Sequence, residues 1–214
     1  MNSVTARRLS AAYDGDRASW AAVRELCCRT GNNGDPIAPE RWELFSRIWI
    51  EPYEKIVPEW TYVGESGAAI VGYLTGCPDS QKFQRMKMWW VTFPVLMAIA
   101  GGQYRHAPGA RQFVKEALGL RKSVERHFTP ALRRTLARAY PAHLHINVAA
   151  GHRHRGIGRR LIESYLADLR RHGVSGIHLF CGADPVEFYG RLGFQVLETA
   201  ELNGTVTFAL GARL

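Results

Sequence analysis

The residues with the most chemical information lie where an alternating strand runs into a glycine-bearing basic turn and then an amphipathic helix. The turn consists of Arg153, His154, Arg155, Gly156, Ile157 and Gly158, and it is followed directly by Arg159 and Arg160. A turn of this kind directs backbone N–H groups to one point at a helix N-terminus, where the helix dipole favours an anion. Cations are disfavoured at that end of a helix, and a bound anion removes the conflict. The segment therefore predicts a pyrophosphate-binding site.

The glycine spacing excludes two common nucleotide-binding fingerprints. Gly156 and Gly158 are not followed by the third glycine that the dinucleotide motif G-x-G-x-x-G requires. Gly151 and Gly156 have the spacing of a P-loop, but Ile157 and Gly158 stand where that motif needs Lys and Ser or Thr. The alternative to a ligand site is a plain glycine turn before a solvated basic helix.

Two short runs carry a resemblance to a known family. The run from Arg153 to Gly158 resembles the [Q/R]-x-x-G-x-[G/A] signature of the GNAT superfamily of acyl-CoA-dependent N-acetyltransferases. Phe188-Tyr189-Gly190-Arg191-Leu192-Gly193-Phe194 resembles the F-Y-x-[KR]-L-G-F run that closes the last helix of the same superfamily. The two motifs occur in the expected order and cover roughly the C-terminal third. The resemblance implies acetyl-CoA as the cosubstrate and no metal.

The elements that position these motifs follow from hydrophobic periodicity and turn residues. Strands are predicted over 4–10, 60–63, 68–74, 143–149, 176–181, 194–197 and 205–210, and helices over 14–28, 40–49, 159–172 and 185–192. We expect one domain over residues 1–214 with the α/β (α+β) GNAT fold. Its central sheet is expected to be mixed, mostly antiparallel and twisted, flanked by helices and splayed between strands 4 and 5.

A long, largely helical insertion is predicted over residues 81–141, between strands 3 and 4. It is too apolar for a disordered linker, so it either packs beside the sheet or roofs the acceptor cleft. Its most apolar stretch, from Met88 to Gly102, is shorter than the ~20 residues of a spanning helix, and we expect a buried or cleft-lining helix. With Tyr140-Pro141 entering the fourth strand, this arrangement resembles the subgroup related to the acetyltransferase-like domain attached to O-GlcNAc hydrolases.

Charge and cysteine content narrow the partners. The chain has a formal net charge of +9, much of it within or beside the proposed phosphate site. It shows no helix-turn-helix, RNP or zinc-finger pattern, so we expect no nucleic-acid partner, and we also expect no membrane partner. The 4 cysteines form no C-x-x-C pair and no metal-ligand spacing. Without a signal peptide, a cytoplasmic location is the default expectation. The sequence carries no sign of an oligomeric state.

The resemblance implies roles for the residues that stabilise the carbonyl oxygen and protonate the sulfur. In the superfamily the oxyanion meets a backbone N–H where the fourth strand bulges away from the fifth, which corresponds here to Val148, Ala149 and Ala150. Tyr189 stands at the position of the tyrosine that resembles a general acid toward the departing thiolate. The alternative is that Tyr189 is an aromatic residue packed against the cofactor.

Candidates for handling the amine proton alternate along the fourth strand. His143, His145 and Asn147 are expected to project to one face of that strand. His145 is the candidate base, with a pKa of about 6.5 if it is unperturbed. The alternative is that each imidazole satisfies a buried backbone group. Weaker candidates for contact with the amine substrate are Glu40, Glu51 and Tyr53. Tyr53 lies in a predicted turn at Pro52-Tyr53.

The function expected from these features is transfer of an acetyl group from acetyl-CoA to a primary amine, by direct attack in a ternary complex. The alternative is a degenerate module that binds acyl-CoA or a protein partner without turnover. The intact glycines and Tyr189 favour the enzyme, because a module that only binds acyl-CoA does not need a proton donor for the departing thiolate.

Overall fold

A computed structural model describes residues 4–9, 17–32, 34–104, 106–107, 109–117, 128–202 and 204–214. Within these residues the strands form one 7-stranded sheet in the order β1-β2-β3-β4-β5-β7-β6. The strands are β1 Val4–Arg8, β2 Thr61–Ser66, β3 Ala69–Cys77, β4 Ala142–Val148, β5 Gly176–Cys181, β6 Gln195–Leu202 and β7 Thr205–Arg213. Every neighbouring pair is antiparallel except β4 and β5. The predicted mixed, mostly antiparallel sheet is confirmed.

The parallel strands β4 and β5 pair only where they begin. Ala142 lies opposite Ile177 and His143 opposite His178, and the pairing stops there. On its other edge β4 stays paired with β3 as far as Val148. The strands therefore diverge and leave a wedge between them, which confirms the predicted splay.

The helices flank this sheet. They are α1 Arg17–Arg29, α2 Trp42–Trp49, α3 Glu51–Ile56, α4 Ser80–Lys87, α5 Phe93–Ala100, α6 Ala110–Ala117, α7 Pro130–Ala139, α8 Ile157–Arg171 and α9 Val186–Gly190. The prediction of a turn at Pro52-Tyr53 is wrong, because Pro52 occupies the first turn of α3, where a missing N–H costs no helical hydrogen bond. Ser10, predicted to end β1, residues 14–16 of the first predicted helix, and Asn203 of the last hairpin lie outside the described residues.

Helix α8 packs on one face of the sheet through glycines on the strands beneath it. At Gly76 a Cβ would lie 2.4 Å from Cζ of Tyr165, so only glycine lets the ring approach. The Tyr165 hydroxyl donates to the backbone carbonyls of Cys77 at 3.0 Å and His143 at 2.9 Å. These contacts fasten α8 to β3 and β4, and so fix the position of the turn that precedes α8.

The opposite face of the sheet is covered by α1, α2 and α3. Trp20 and Val23 of α1 are buried against Val63 and Tyr73. Along β4, Leu144 packs toward α8, whereas the rings of His143 and His145 contact Tyr53 of α3. The predicted alternation of β4 side chains is therefore confirmed.

The insertion between β3 and β4 contains α4 to α7 and a π-helical segment, Met88–Thr92, with residues 105, 108 and 118–127 outside the description. Val91 and Val95 are buried, as expected of an apolar helix. The expectation of a buried helix is confirmed for that side only, because Trp89 and Trp90 on the other side are exposed. Among the described residues no helix is both long and apolar enough to cross a membrane.

Candidate active site

The glycine turn before α8 forms an uncapped helix N-terminus. Gly156 is the N-cap residue with φ 77°, and no side chain caps the helix. The first helical bond runs from the Arg160 N–H to the Gly156 carbonyl at 3.0 Å. The amides of residues 157–159 therefore have no acceptor within the helix. His154, exposed with φ 60°, adds a second left-handed residue to the turn.

The two signature glycines serve different purposes. A Cβ at Gly156 would meet nothing within 4 Å, so there glycine is required by the positive φ alone. A Cβ at Gly158 would lie 3.4 Å from Phe188 of α9 and 3.8 Å from Ile146 and Val148 of β4. Gly158 thus lies between the two walls of the wedge, where a longer side chain would fill the gap.

The predicted basic residues of the turn are divided between structural contacts and exposed charge. The Arg153 guanidinium donates to the carbonyls of Val148 and Gly34, both at 3.2 Å, and so ties the end of β4 to the turn after α1. Arg159 forms an ion pair with Glu163 one turn later at 2.7 Å, which offsets part of its conflict with the helix dipole. Arg155 is exposed. Ile157 is buried against the sheet and presents only its backbone.

Strand alternation distinguishes the three amides predicted near the reacting carbonyl. The Ala149 N–H donates to the Val71 carbonyl at 2.9 Å, so that amide is engaged with β3. Because backbone groups alternate along a strand, the N–H of Val148 points the other way, toward the wedge. Ala150 begins a short 3-10 turn, Ala150–His152. The geometry favours Val148 over Ala149 as a donor.

Tyr189 lies in α9 on the β5 side of the wedge. It is 7% exposed, and its ring contacts those of Phe188 and Phe194. No described residue is seen to hydrogen-bond to its hydroxyl. Burial, with a smaller contribution from Cys181, raises the pKa of Tyr189. The hydroxyl is therefore protonated at neutral pH, as a general acid must be. No hydrogen bond from a described residue fixes its orientation.

His143 is a buried imidazole with a partner at each ring nitrogen. Ser80 Oγ donates to the Pro141 carbonyl at 2.6 Å and lies 2.8 Å from His143 Nδ1. Since the Ser80 proton is committed, Nδ1–H donates to Ser80, and the Tyr53 hydroxyl donates to Nε2 at 2.8 Å. This series of hydrogen bonds fixes the neutral Nδ1–H tautomer of His143. Burial, reinforced by His145, holds the pKa of His143 well below its usual range.

His145 lies two residues further along β4, on the same face as His143, and is surrounded by aromatic side chains. Its ring contacts the half-exposed Trp49 at 5.3 Å and Tyr53 at 5.9 Å between centroids. Among the described residues none is seen to hydrogen-bond to the ring. Burial, together with the positive charge of Lys87, lowers the pKa of His145 to about 4. The value of about 6.5 that an unperturbed imidazole would have does not apply here, because packing among aromatic side chains reduces the hydration that stabilises an imidazolium.

Asn147 and the second-rank candidates are held by protein partners. The Asn147 amide donates to the Tyr73 hydroxyl at 2.9 Å. Glu51 forms ion pairs with Arg47 and Lys55, and the Tyr53 hydroxyl is hydrogen-bonded to His143. Glu40 lies in the exposed 3-10 turn Pro39–Arg41. Sequence reasoning missed Trp49 and Ser80. The aromatic residues of the predicted 40–49 helix were a signal for Trp49, and no pattern in the sequence pointed to Ser80.

Comparison with known proteins identifies the segment that carries these features. The family profile described as acetyltransferase (GNAT) domain matches residues 127–196, which include β4, the turn, α8, β5 and α9. The solved structure of SsHAT is 28% identical, with 99% of this chain and 98% of that chain covered and a TM-score of 0.72. Its coverage includes the insertion.

Two further solved structures share the fold at low identity. The first is yncA from Salmonella typhimurium, a putative acetyltransferase with its cofactor acetyl-CoA, at 14% identity, coverage of 100% and 95%, and a TM-score of 0.55. The second is a variant of agmatine N-acetyltransferase, at 14% identity, coverage of 99% and 99%, and a TM-score of 0.56.

Proposed function

We propose that the chain, whose residues 127–196 match the acetyltransferase (GNAT) domain profile, transfers the acetyl group of acetyl-CoA to a primary amine in a ternary complex. The observation that carries this proposal is the conjunction of the wedge between β4 and β5 with the uncapped N-terminus of α8 at its base. The amides of residues 157–159 would hold the pyrophosphate, and Arg155 and Arg159 would add positive charge. The thioester arm would enter beside Gly158, along the edge of β4 that β5 leaves unpaired.

The reaction requires an oxyanion donor and an acid on the thiol side. The amine nitrogen attacks the thioester carbonyl, the C–N bond forms and the C–S bond breaks. The Val148 amide would donate to the carbonyl oxygen as it gains charge, a contribution of about 2.7–4 kcal/mol for one such donor. Tyr189 would give its proton to the departing thiolate and recover one from solvent. Its protonated state and its position on the β5 wall support this role.

His145 is proposed to accept a hydrogen bond from the amine rather than to act as the base that takes up its proton. With a pKa of about 4 the imidazole is neutral at neutral pH and presents an acceptor nitrogen. An imidazolium is costly in this surround, so the proton released by the amine would pass through water to solvent. The acceptor would bind on the face formed by His145, Trp49 and Tyr53, with Asn147 holding the adjacent part of the wall through Tyr73.

A module that binds acyl-CoA without turnover is the second candidate. It is favoured by one observation, that His143 and Asn147 are committed to protein partners and leave only His145 available on this face. The retained Tyr189, with no seen protein partner for its hydroxyl among the described residues, favours the enzyme. We also propose the relation to the domain attached to O-GlcNAc hydrolases, supported by the helical insertion between β3 and β4, and a cytoplasmic location.

The proposed activity is tested by thiol release. The chain is incubated with acetyl-CoA and a panel of primary amines, including aromatic, anionic and polyamine members, and free CoA is measured with a thiol reagent. Release above the hydrolysis background with at least one amine is expected, with the acetylated amine detected by mass spectrometry. Binding of acetyl-CoA with no amine-dependent release across the panel would favour the module without turnover.

A further inference from the structure

One helical surface in the insertion is unused by the proposed chemistry. Helix α4, the π-helical segment Met88–Thr92 and α5 follow one another without a break, because Lys87, Met88 and Phe93 all keep right-handed helical dihedral angles. The result is one helix over residues 80–100. Its second half is apolar on both sides.

The two sides of that half differ in what covers them. Val91 and Val95 are buried in a cluster with Leu44. On the other side Trp89 is 70% exposed, and its ring lies 6.1 Å from that of Phe93. The exposed residues, which we call the aromatic stripe, are Trp89 at 70%, Trp90 at 61%, Phe93 at 48% and Met97 at 55%. A helix that is apolar all round is normally buried, so a further partner is needed to cover the stripe.

The charge around the stripe defines the chemistry of that partner. From residue 80 to residue 115 the sequence contains no Asp or Glu, and the described basic residues of that range are Lys82, Arg85, Lys87, Arg111 and Lys115. Lys82 and Arg85 lie on the exposed surface of α4, within the same helix as the stripe. The complementary partner is therefore apolar and bears negative charge.

A second copy of the chain does not meet this requirement. A two-fold interface brings the same patch together from both subunits, so α4 would face its own basic residues with no acidic residue between 80 and 115 to pair with them. The stripe also projects rings outward, and a rigid protein partner would need a matching pocket for each ring. A bilayer interface accepts Trp and Phe side chains at any position and supplies phosphates for Lys and Arg.

We propose that the aromatic stripe docks the protein on the surface of an anionic phospholipid bilayer. The helix over residues 80–100 lies in the plane of the interface, with Trp89, Trp90 and Phe93 among the acyl chains and Lys82 and Arg85 at the headgroup phosphates. This contact needs no spanning helix. It goes beyond the sequence-based expectation of no membrane partner, which rested on the apolar stretch being too short to span a bilayer.

The test is co-sedimentation of the full chain with vesicles of phosphatidylcholine plus phosphatidylglycerol, and with vesicles of phosphatidylcholine alone. Strong binding is expected only to the anionic vesicles, with a blue shift of tryptophan emission. Trp89→Ser combined with Phe93→Ser should abolish it, and Lys82→Gln combined with Arg85→Gln should weaken it by roughly 25-fold, at about fivefold per basic residue. Val196→Ser is the matched control, since Val196 is also exposed, at 49%, but lies on β6.

A thermal unfolding midpoint equal to that of the native chain verifies that each variant is folded. The proposal is overturned if the native chain does not bind anionic vesicles, or if the stripe variant binds as well as the control. A concentration-dependent dimer that the stripe variant loses, without vesicle binding, would instead assign the stripe to a second copy. None of these outcomes depends on turnover, so they are independent of the proposed acetyl transfer.

Discussion

Removing one hydroxyl from each of two buried tyrosines should separate chemistry from stability. Tyr189→Phe keeps the ring that packs against Phe188 and Phe194 and deletes a hydroxyl for which no partner is seen within the described chain. Tyr165→Phe also keeps its ring, but it deletes a donor to two backbone carbonyls, at 2.9 and 3.0 Å. The first change removes the proposed acid, and the second removes only structural bonds.

The expected magnitudes follow from these partners. Each of the two carbonyls also accepts a backbone bond of the β3–β4 ladder, so Tyr165→Phe should lose one shared hydrogen bond of about 0.5–1.5 kcal/mol and lower Tm by roughly 2–4 °C for each kcal/mol. Tyr189→Phe removes no protein hydrogen bond of the described residues and should change Tm little. Because it removes the proton donor to the thiolate, its kcat should fall on the order of tenfold or more. The KM for acetyl-CoA should change little in either variant.

The assay is CoA release with the best amine of the panel, together with thermal unfolding of both variants. A pre-steady-state trace establishes that chemistry limits kcat before the two values are compared. Unchanged kcat in Tyr189→Phe under that condition would remove Tyr189 from the mechanism and leave it as a packing residue. An equal loss of kcat in Tyr165→Phe would show that the effect arises from distortion of β4.

The remaining predictions concern His145 and the packing under α8. With its pKa at about 4, His145 should give no acid limb in kcat/KM between about pH 5 and 8, and a limb near 6.5 that His145→Gln abolishes would contradict the structure. Because the unfolded chain binds that proton first, the free energy of unfolding should also fall as pH is lowered from 6.5 to about 4, less steeply in His145→Gln, as measured in urea. Gly76→Ala places a Cβ 2.4 Å from the Tyr165 ring and should lose roughly 1–3 kcal/mol in the same urea assay, whereas Gly151→Ala, with nothing within 4 Å, should be nearly neutral.

Features that depend on neighbouring residues were predictable from the sequence. The order of β4, turn and α8 followed from alternation, glycine and helical periodicity. The alternation of His143 and His145 with Leu144 required only the geometry of a strand. The splay of β4 from β5 came from resemblance and not from the residues themselves.

Features that depend on distant residues were not predictable. One of the two carbonyl partners of Arg153 belongs to Gly34, 119 positions away. The pKa of His145 depends on burial beside Trp49 and Tyr53 and on the charge of Lys87, all of them distant from His145 in the sequence. The exposure of Trp89 could not be predicted from periodicity, because an apolar helix has the same pattern whether one side or both sides are covered.

Binding of CoA at the wedge is tested most directly by titration calorimetry of CoA into the native chain, Gly158→Leu and Gly151→Leu. The native chain and Gly151→Leu should bind alike, since position 151 faces open space. A leucine at 158 would extend between Phe188 and Val148 and keep CoA from its full contact with the turn. If one charge-assisted hydrogen bond of about 1.5–3 kcal/mol is lost, the affinity of Gly158→Leu for CoA should fall by roughly 10- to 150-fold. No heat with the native chain, or equal affinity in all three proteins, would contradict a cofactor site in this wedge.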